Sequence, residues 1–243
     1  MSATKQDIIA QLRRDILLLE GFKAPTADAI DIGLGPVAAA FPNGVFPTGA
    51  IHEFISNGPE TAAATGGFVA GLTGGLMCSG GTCIWVSTRG KVFAPGLKAF
   101  DVEPDRVIFV DVRGEKDALW VMEEALKCEG IAVVVGEIPE ISFTASRRLQ
   151  LAVEQSRVTG LLLRNNPRKQ NTIACVARWK IGPVASKLIA GMPGVGFPCW
   201  NVELEKVRNG RPGTWQVEWS AGRFQHLVLA RPALSQEGLR KTG

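Results

Sequence analysis

The stretch GPETAAATG, residues 58–66, stands between the apolar run AIHEFI (50–55) and a long uncharged run, at a handover from strand to helix. A phosphate-binding loop in that place reads G-x-x-x-x-G-K-[ST]: the glycines let backbone amides approach the phosphates, and the lysine neutralises the β/γ-oxygens. Gly58 and Thr65 fit the pattern and Pro59, Glu60 and Thr61 fill its variable positions, but Ala63 and Ala64 stand where glycine and lysine belong. Neither alanine supplies what its position requires. Residues 58–65 therefore read as a degenerate nucleotide loop on an α/β scaffold.

The rest of the chain supports that scaffold. Apolar runs of four to eight residues, AIHEFI, TCIWVS, RVIFVDV and IAVVVGEI, alternate with segments of helical character at 61–77, about 94–101 and 115–129. Strand–helix alternation of this kind predicts a largely parallel sheet with helices on both faces. A helix over about 142–158 leads to GLLLRN, and NTIACVARWK, CWNVELEKV, TWQVEWS and RFQHLVLA follow as strands joined by short turns. These extend the core as antiparallel strands. Ahead of the core, Ile8, Leu12, Ile16 and Leu19 recur at helical spacing behind Ser2 or Thr4 as a cap. The expected organisation is an N-terminal amphipathic helix (1–20), a Pro/Gly-punctuated linker and entry to the core (21–49), one core domain (50–230) and a loose tail (231–243).

Composition limits the function classes. With 243 residues and 46% hydrophobic content, the chain can bury one substantial core. Its five cysteines form no C-x-x-C pair and only His52 and His226 could help them bind a metal, so no metal site is expected. His52 alternates with apolar residues in AIHEF and reads as a satisfied core histidine, and the six tryptophans read as packing. Reduced thiols and a charged N-terminus without an apolar signal core point to the cytoplasm. No charge occurs from Thr61 to Thr88, but seven glycines and the CSGGT break divide that run into a buried helix and a buried strand rather than a membrane span.

VFPTGAIHEFISNGPETAAATG resembles the opening of the RecA core, a short strand running into G-P-E-S-S-G-K-T, and GGTCIWVSTRGKVFAPGLKAFDVEPDRVIFVD resembles the second RecA strand and its following helix. The ending RNGRPGTWQVEW is more similar to the ImuA family, small RecA-like proteins encoded beside ImuB and a DnaE-type polymerase in bacterial damage-induced mutagenesis operons. The resemblance spans residues 30–225. It implies a RecA-like core, ImuB as a partner, and RecA and a DnaE-type polymerase as further candidates. Against the RecA pattern, Arg89 stands where a glutamate activates water, and Gly136 takes the acidic position that ends the fourth strand, with Glu137 one step late. The connections after the fourth and fifth strands, EIPEISFT and NPRKQ, are shorter than the RecA loops that embrace single-stranded DNA.

These departures predict a non-catalytic protein without cofactor, and the resemblance to ImuA implies that it is an accessory factor in SOS-induced translesion synthesis, acting through protein contacts. The alternatives are a SulA-like inhibitor of FtsZ on the same kind of scaffold, and a true DNA-dependent ATPase. Charge adds one candidate surface. From Arg147 to Lys180 there are eight basic residues and one acidic, Glu154, a net +7 against +4 for the whole chain. Arg147, Arg148, Arg164, Arg168 and Lys169 are the residues expected to meet DNA backbone, weakly and without sequence preference, or an acidic partner. The 8-12-16-19 stripe is the expected partner helix.

Overall fold

Nine strands in the order β3-β2-β4-β5-β1-β6-β7-β8-β9 form one sheet in the computed structural model, which describes residues 11–12, 31–88, 92–186, 194 and 196–227. The strands are β1 (Ile51–Ser56), β2 (Thr82–Ser87), β3 (Val107–Asp111), β4 (Ile131–Glu137), β5 (Thr159–Asn165), β6 (Ala177–Val184), β7 (Cys199–Val207), β8 (Gly213–Ser220) and β9 (Arg223–His226). Helices α1 (Pro59–Met77), α2 (Glu115–Leu126) and α3 (Phe143–Ser156) connect the first five strands, with a 3-10 helix at Ala94–Phe100 where a helix was expected over 94–101. Pro95 in its first turn and the left-handed Asp101 after it keep that element short. Gln11 and Leu12 are helical, but Ile8, Ile16, Leu19, Arg89 and the 231–243 tail lie outside the described residues.

Every residue of β1 is buried, because the strand lies at the centre of the sheet with a helical layer on each face. One core, on the α1 side, gathers Phe54, Phe68, Trp179, Trp200 and Phe224, and the other, under α2 and α3, gathers Met122, Leu126, Leu149 and Leu162. Helix α1 explains the uncharged run. It is covered on nearly all sides and crosses close to other backbone: a Cβ on Gly74 would sit 2.2 Å from the Phe100 carbonyl oxygen, and one on Gly75 2.3 Å from that of Ile32. Only glycine permits that approach. No helix among the described residues is long and apolar enough to cross a membrane.

One strand pairing departs from expectation. β6 runs parallel to β1, so the antiparallel extension begins only at β7. NTIACV, read as the start of that strand, is instead the returning leg of the 166–176 connection: Ile173 packs under the sheet and the Val176 amide donates to the Ile51 carbonyl at 2.8 Å. A parallel neighbour requires the chain to travel back along the sheet before it can pair.

Candidate functional site: a closed nucleotide loop

The carboxyl ends of β1, β4 and β5 meet the start of α1, the place where ligands bind in open α/β sheets. β1 ends at Ser56 and α1 begins at Pro59, leaving only Asn57 and Gly58 between them. Residues 60–64, which would bow around a phosphate, are wound into the helix. The Ala62 amide already donates to the Gly58 carbonyl at 3.1 Å, and the Thr61 hydroxyl donates to the same oxygen at 3.0 Å. Gly58 has φ of 110°, and its own amide donates to Asn166 Oδ1 at 2.7 Å. Glu60 puts a carboxylate in the first turn, at the positive end of the helix dipole where an anion would otherwise sit. The Thr65 hydroxyl, in the position that would meet a magnesium ion, is fully buried and 2.7 Å from Ser56 Oγ. The Gly58 and Ala62 amides, the start of the helix dipole and the Thr65 hydroxyl are thus engaged within the chain.

The acidic position differs from the sequence reading. A Cβ on Gly136 would lie 2.4 Å from Met122 Sδ, so Gly136 faces α2, and strand alternation turns Glu137 toward the α1 side. There Trp85 Nε1–H donates to Glu137 Oε1 at 3.0 Å and the Ser87 hydroxyl donates to Oε2 at 3.3 Å. Asn165, in register with Ser56 at the end of β5, has a buried Oδ1 with no hydrogen-bond partner. An acidic group therefore does stand on the nucleotide face, one residue later than the ungapped comparison with RecA places it.

Arg164 does not belong to a surface. It is wholly buried on the opposite face, where Nη1–H donates to Glu53 Oε1 at 2.7 Å. Its remaining groups donate to the carbonyls of Pro139 and Lys169 and to Asn171 Oδ1 at 2.9–3.0 Å. Arg178 Nε–H reaches Glu53 Oε2, also at 2.7 Å, and its Nη2 donates to the Asn171 carbonyl. The Arg164–Glu53–Arg178 triad thereby ties the 166–171 turn to the floor of the sheet. Beside it the Cys175 thiol is pushed up to about 12, first by burial and then by the charge of Glu53. That thiol is protonated and unreactive.

The other basic candidates divide. Arg148 pairs with Glu123 on α2, while Arg147 is exposed and donates to Gln150 at 2.9 Å. Arg168 and Lys169 are exposed at the tip of the clamped turn, and the Arg168 amide donates to Glu140. Phe143, one helical turn before Arg147 on α3, is 57% exposed, an aromatic that the charge count alone does not reveal. His52 is a core histidine, as expected. Its Nε2 lies 2.8 Å from the Pro47 carbonyl, Trp179 Nε1–H points at Nδ1 from 3.4 Å, and Phe46 stacks on the ring at 4.2 Å. Burial lowers its pKa to about 4 despite the bond to Pro47, so the ring is neutral. Of the six tryptophans, Trp85, Trp179, Trp200 and Trp219 are buried packing residues and Trp120 is exposed.

A KaiC-like protein from Pyrococcus horikoshii OT3 superposes with a TM-score of 0.56 at 14% identity, covering 83% of this chain and 99% of its own. That likeness and the strand order make the fold RecA-like. No family model matches the sequence. Protein ImuA from two strains of Caulobacter vibrioides is 37% identical over 210 residues, 82% of this chain and 86% of the relative. At that identity and coverage, the chain belongs to the ImuA family.

Proposed function

We propose that the chain is a non-catalytic accessory factor in SOS-induced, error-prone translesion synthesis. It works through protein contacts, with ImuB as the first partner and RecA and a DnaE-type polymerase as further ones. Family membership supports the pathway. The observation that carries the non-catalytic reading is the closed loop: α1 starts at Pro59, the Gly58 and Ala62 amides donate within the chain, Glu60 sets a carboxylate at the helix start, and the Thr65 hydroxyl is buried against Ser56. Phosphoryl transfer depends almost wholly on positioning and charge stabilisation, and without the lysine neither is supplied.

Among the described residues Glu137 favours an ATPase, since it offers an acidic oxygen on the right face. It acts alone, with Ala64 in the lysine position and Glu60 repelling phosphate at the helix start. The expected result is no ATP hydrolysis by the purified protein, with or without single-stranded DNA, together with co-purification of ImuB. Turnover that disappears in Glu137→Gln would overturn the first half of the proposal. Failure to retain ImuB or RecA at any concentration would overturn the second.

A further inference from the structure

The two edges of the sheet are treated differently. At β9 the Phe224 amide donates to the Gly33 carbonyl at 2.8 Å, so the segment that enters the core covers that edge. β3 ends the sheet on the other side and pairs with β2 alone among the described residues. The Val112 amide donates to the Ser87 carbonyl at 3.0 Å, which fixes the direction of the groups before it. Backbone groups alternate sides along a strand, so Ile108 and Val110 face β2 while Val107, Phe109 and Asp111 turn both amide and carbonyl outward. β3 carries none of the proline, lysine or bulge that guards many exposed edges. Two of its exposed side chains are apolar as well: Ile108 is 52% exposed and Phe109 37%.

These outward groups suit a second copy of the same strand. Antiparallel pairing about a two-fold axis through Phe109 sets Phe109 opposite Phe109 of the second copy and Val107 opposite Asp111, so every outward amide and carbonyl of β3 finds a partner. Moving the axis to Ile108 or Val110 leaves one outward residue of each strand without a strand partner. Side chains fit the same register: the two Phe109 rings meet on the α1 face, where Val107 is buried, and Ile108 lies opposite Val110 on the α2 face. The charges at the ends agree with it. Asp105 before β3 and Arg113 after it are exposed, and neither has an ion pair among the described residues. Antiparallel pairing brings each Asp105 toward Arg113 of the other copy, whereas an axis at Ile108 would set Asp105 against Asp111.

We propose that β3 is a self-pairing edge: two copies of the chain join antiparallel through Val107–Asp111 into one continuous sheet. The interface is isologous, so it closes at a dimer. A pair of five-residue strands is small beside the roughly 1,200–2,000 Å² of a stable interface, so the dimer forms and dissociates in the micromolar range. β2, β4 and β5 separate β3 from β1, and pairing leaves the closed loop uncovered. The inference stands apart from the translesion role, because it concerns contact between copies whichever partner the protein serves.

Sedimentation velocity on the full chain, over a series from about 1 to about 100 µM, should show a monomer–dimer equilibrium. Phe109→Pro removes an outward amide without touching the ladder to β2, so it should abolish the dimer while circular dichroism shows the fold retained. Asp105→Arg and Arg113→Asp should each weaken the dimer roughly tenfold, because two attractions become two repulsions. Mixing those two variants should restore it, since the facing end charges are again of opposite sign. Both are exposed positions, and they decide the matter should Phe109→Pro fail to fold. A chain that stays monomeric throughout the series overturns the proposal, as does a dimer that survives Phe109→Pro. Mixing without rescue overturns the antiparallel register on which it stands.

Discussion

Two buried residues show how far single positions depend on the fold. His52 is neutral, with its pKa lowered to about 4 by burial. Above pH 6.5 the ring is neutral in folded and unfolded chains alike and contributes no pH dependence. Between pH 6.5 and 4 the unfolded chain takes up a proton that the folded one refuses, so stability falls with pH by up to about 3 kcal/mol. Urea titrations at pH 7 and pH 4.5 should show that loss in the native protein and not in His52→Gln. Arg164 is the harsher case: Arg164→Met leaves Glu53 facing Arg178 alone and frees the 166–171 turn, and breaking such a buried pair costs about 3–5 kcal/mol. A denaturation midpoint within error of the native one would refute that role. The two roles differ in legibility. His52 can be read from the apolar alternation around it, whereas Arg164 cannot, since the carboxylate that holds it is 111 residues away in sequence.

The elements were mostly legible because their signals are local. Each strand of the parallel core is a short apolar run, and α2 and α3 carry 3.6-residue patterns, so type and order follow from neighbouring residues. The β6 pairing and the state of the phosphate loop were not legible in the same way. Whether residues 60–64 bow out or wind into α1 depends on what their amides meet, and Asn166, from the far side of β1, supplies part of that answer. Restoring the motif locally is therefore insufficient: Ala63→Gly with Ala64→Lys should yield no ATP turnover, and at most nucleotide binding measurable by calorimetry. Glycines in the same helix give a second test with a sign that opposes propensity. Alanine is the better helix former by about 1 kcal/mol, yet a Cβ at residue 75 would meet the Ile32 carbonyl oxygen at 2.3 Å. Overpacking of that kind costs about 1–3 kcal/mol, so Gly75→Ala should lower stability in a thermal melt rather than raise it.

Across the whole molecule, the charge excess shrinks once each cation is placed. Of the eight basic residues between Arg147 and Lys180, Arg164 and Arg178 hold Glu53, Arg148 pairs with Glu123, and Lys180 pairs with Glu205 at 2.5 Å. Arg157 ends α3, at the opposite end of that helix from Phe143. Arg147, Arg168 and Lys169 remain near the carboxyl ends of the strands, and Phe143, one helical turn before Arg147, adds an exposed ring. Three cations and one aromatic suffice for weak, sequence-independent contact with single-stranded DNA and for little more. Each phosphate contact on a single strand contributes about 0.7 to the slope of log affinity against log salt, so three contacts predict a slope of about −2. Arg168→Ala with Lys169→Ala should flatten it to about −0.7 while Arg148→Ala leaves it unchanged, since that guanidinium is already committed to Glu123. Titration of labelled single-stranded DNA over a salt series decides the matter. An equal loss in the Arg148 variant would mean that the ion pair opens to meet DNA, and no binding at low salt would leave the clamped turn to a protein partner.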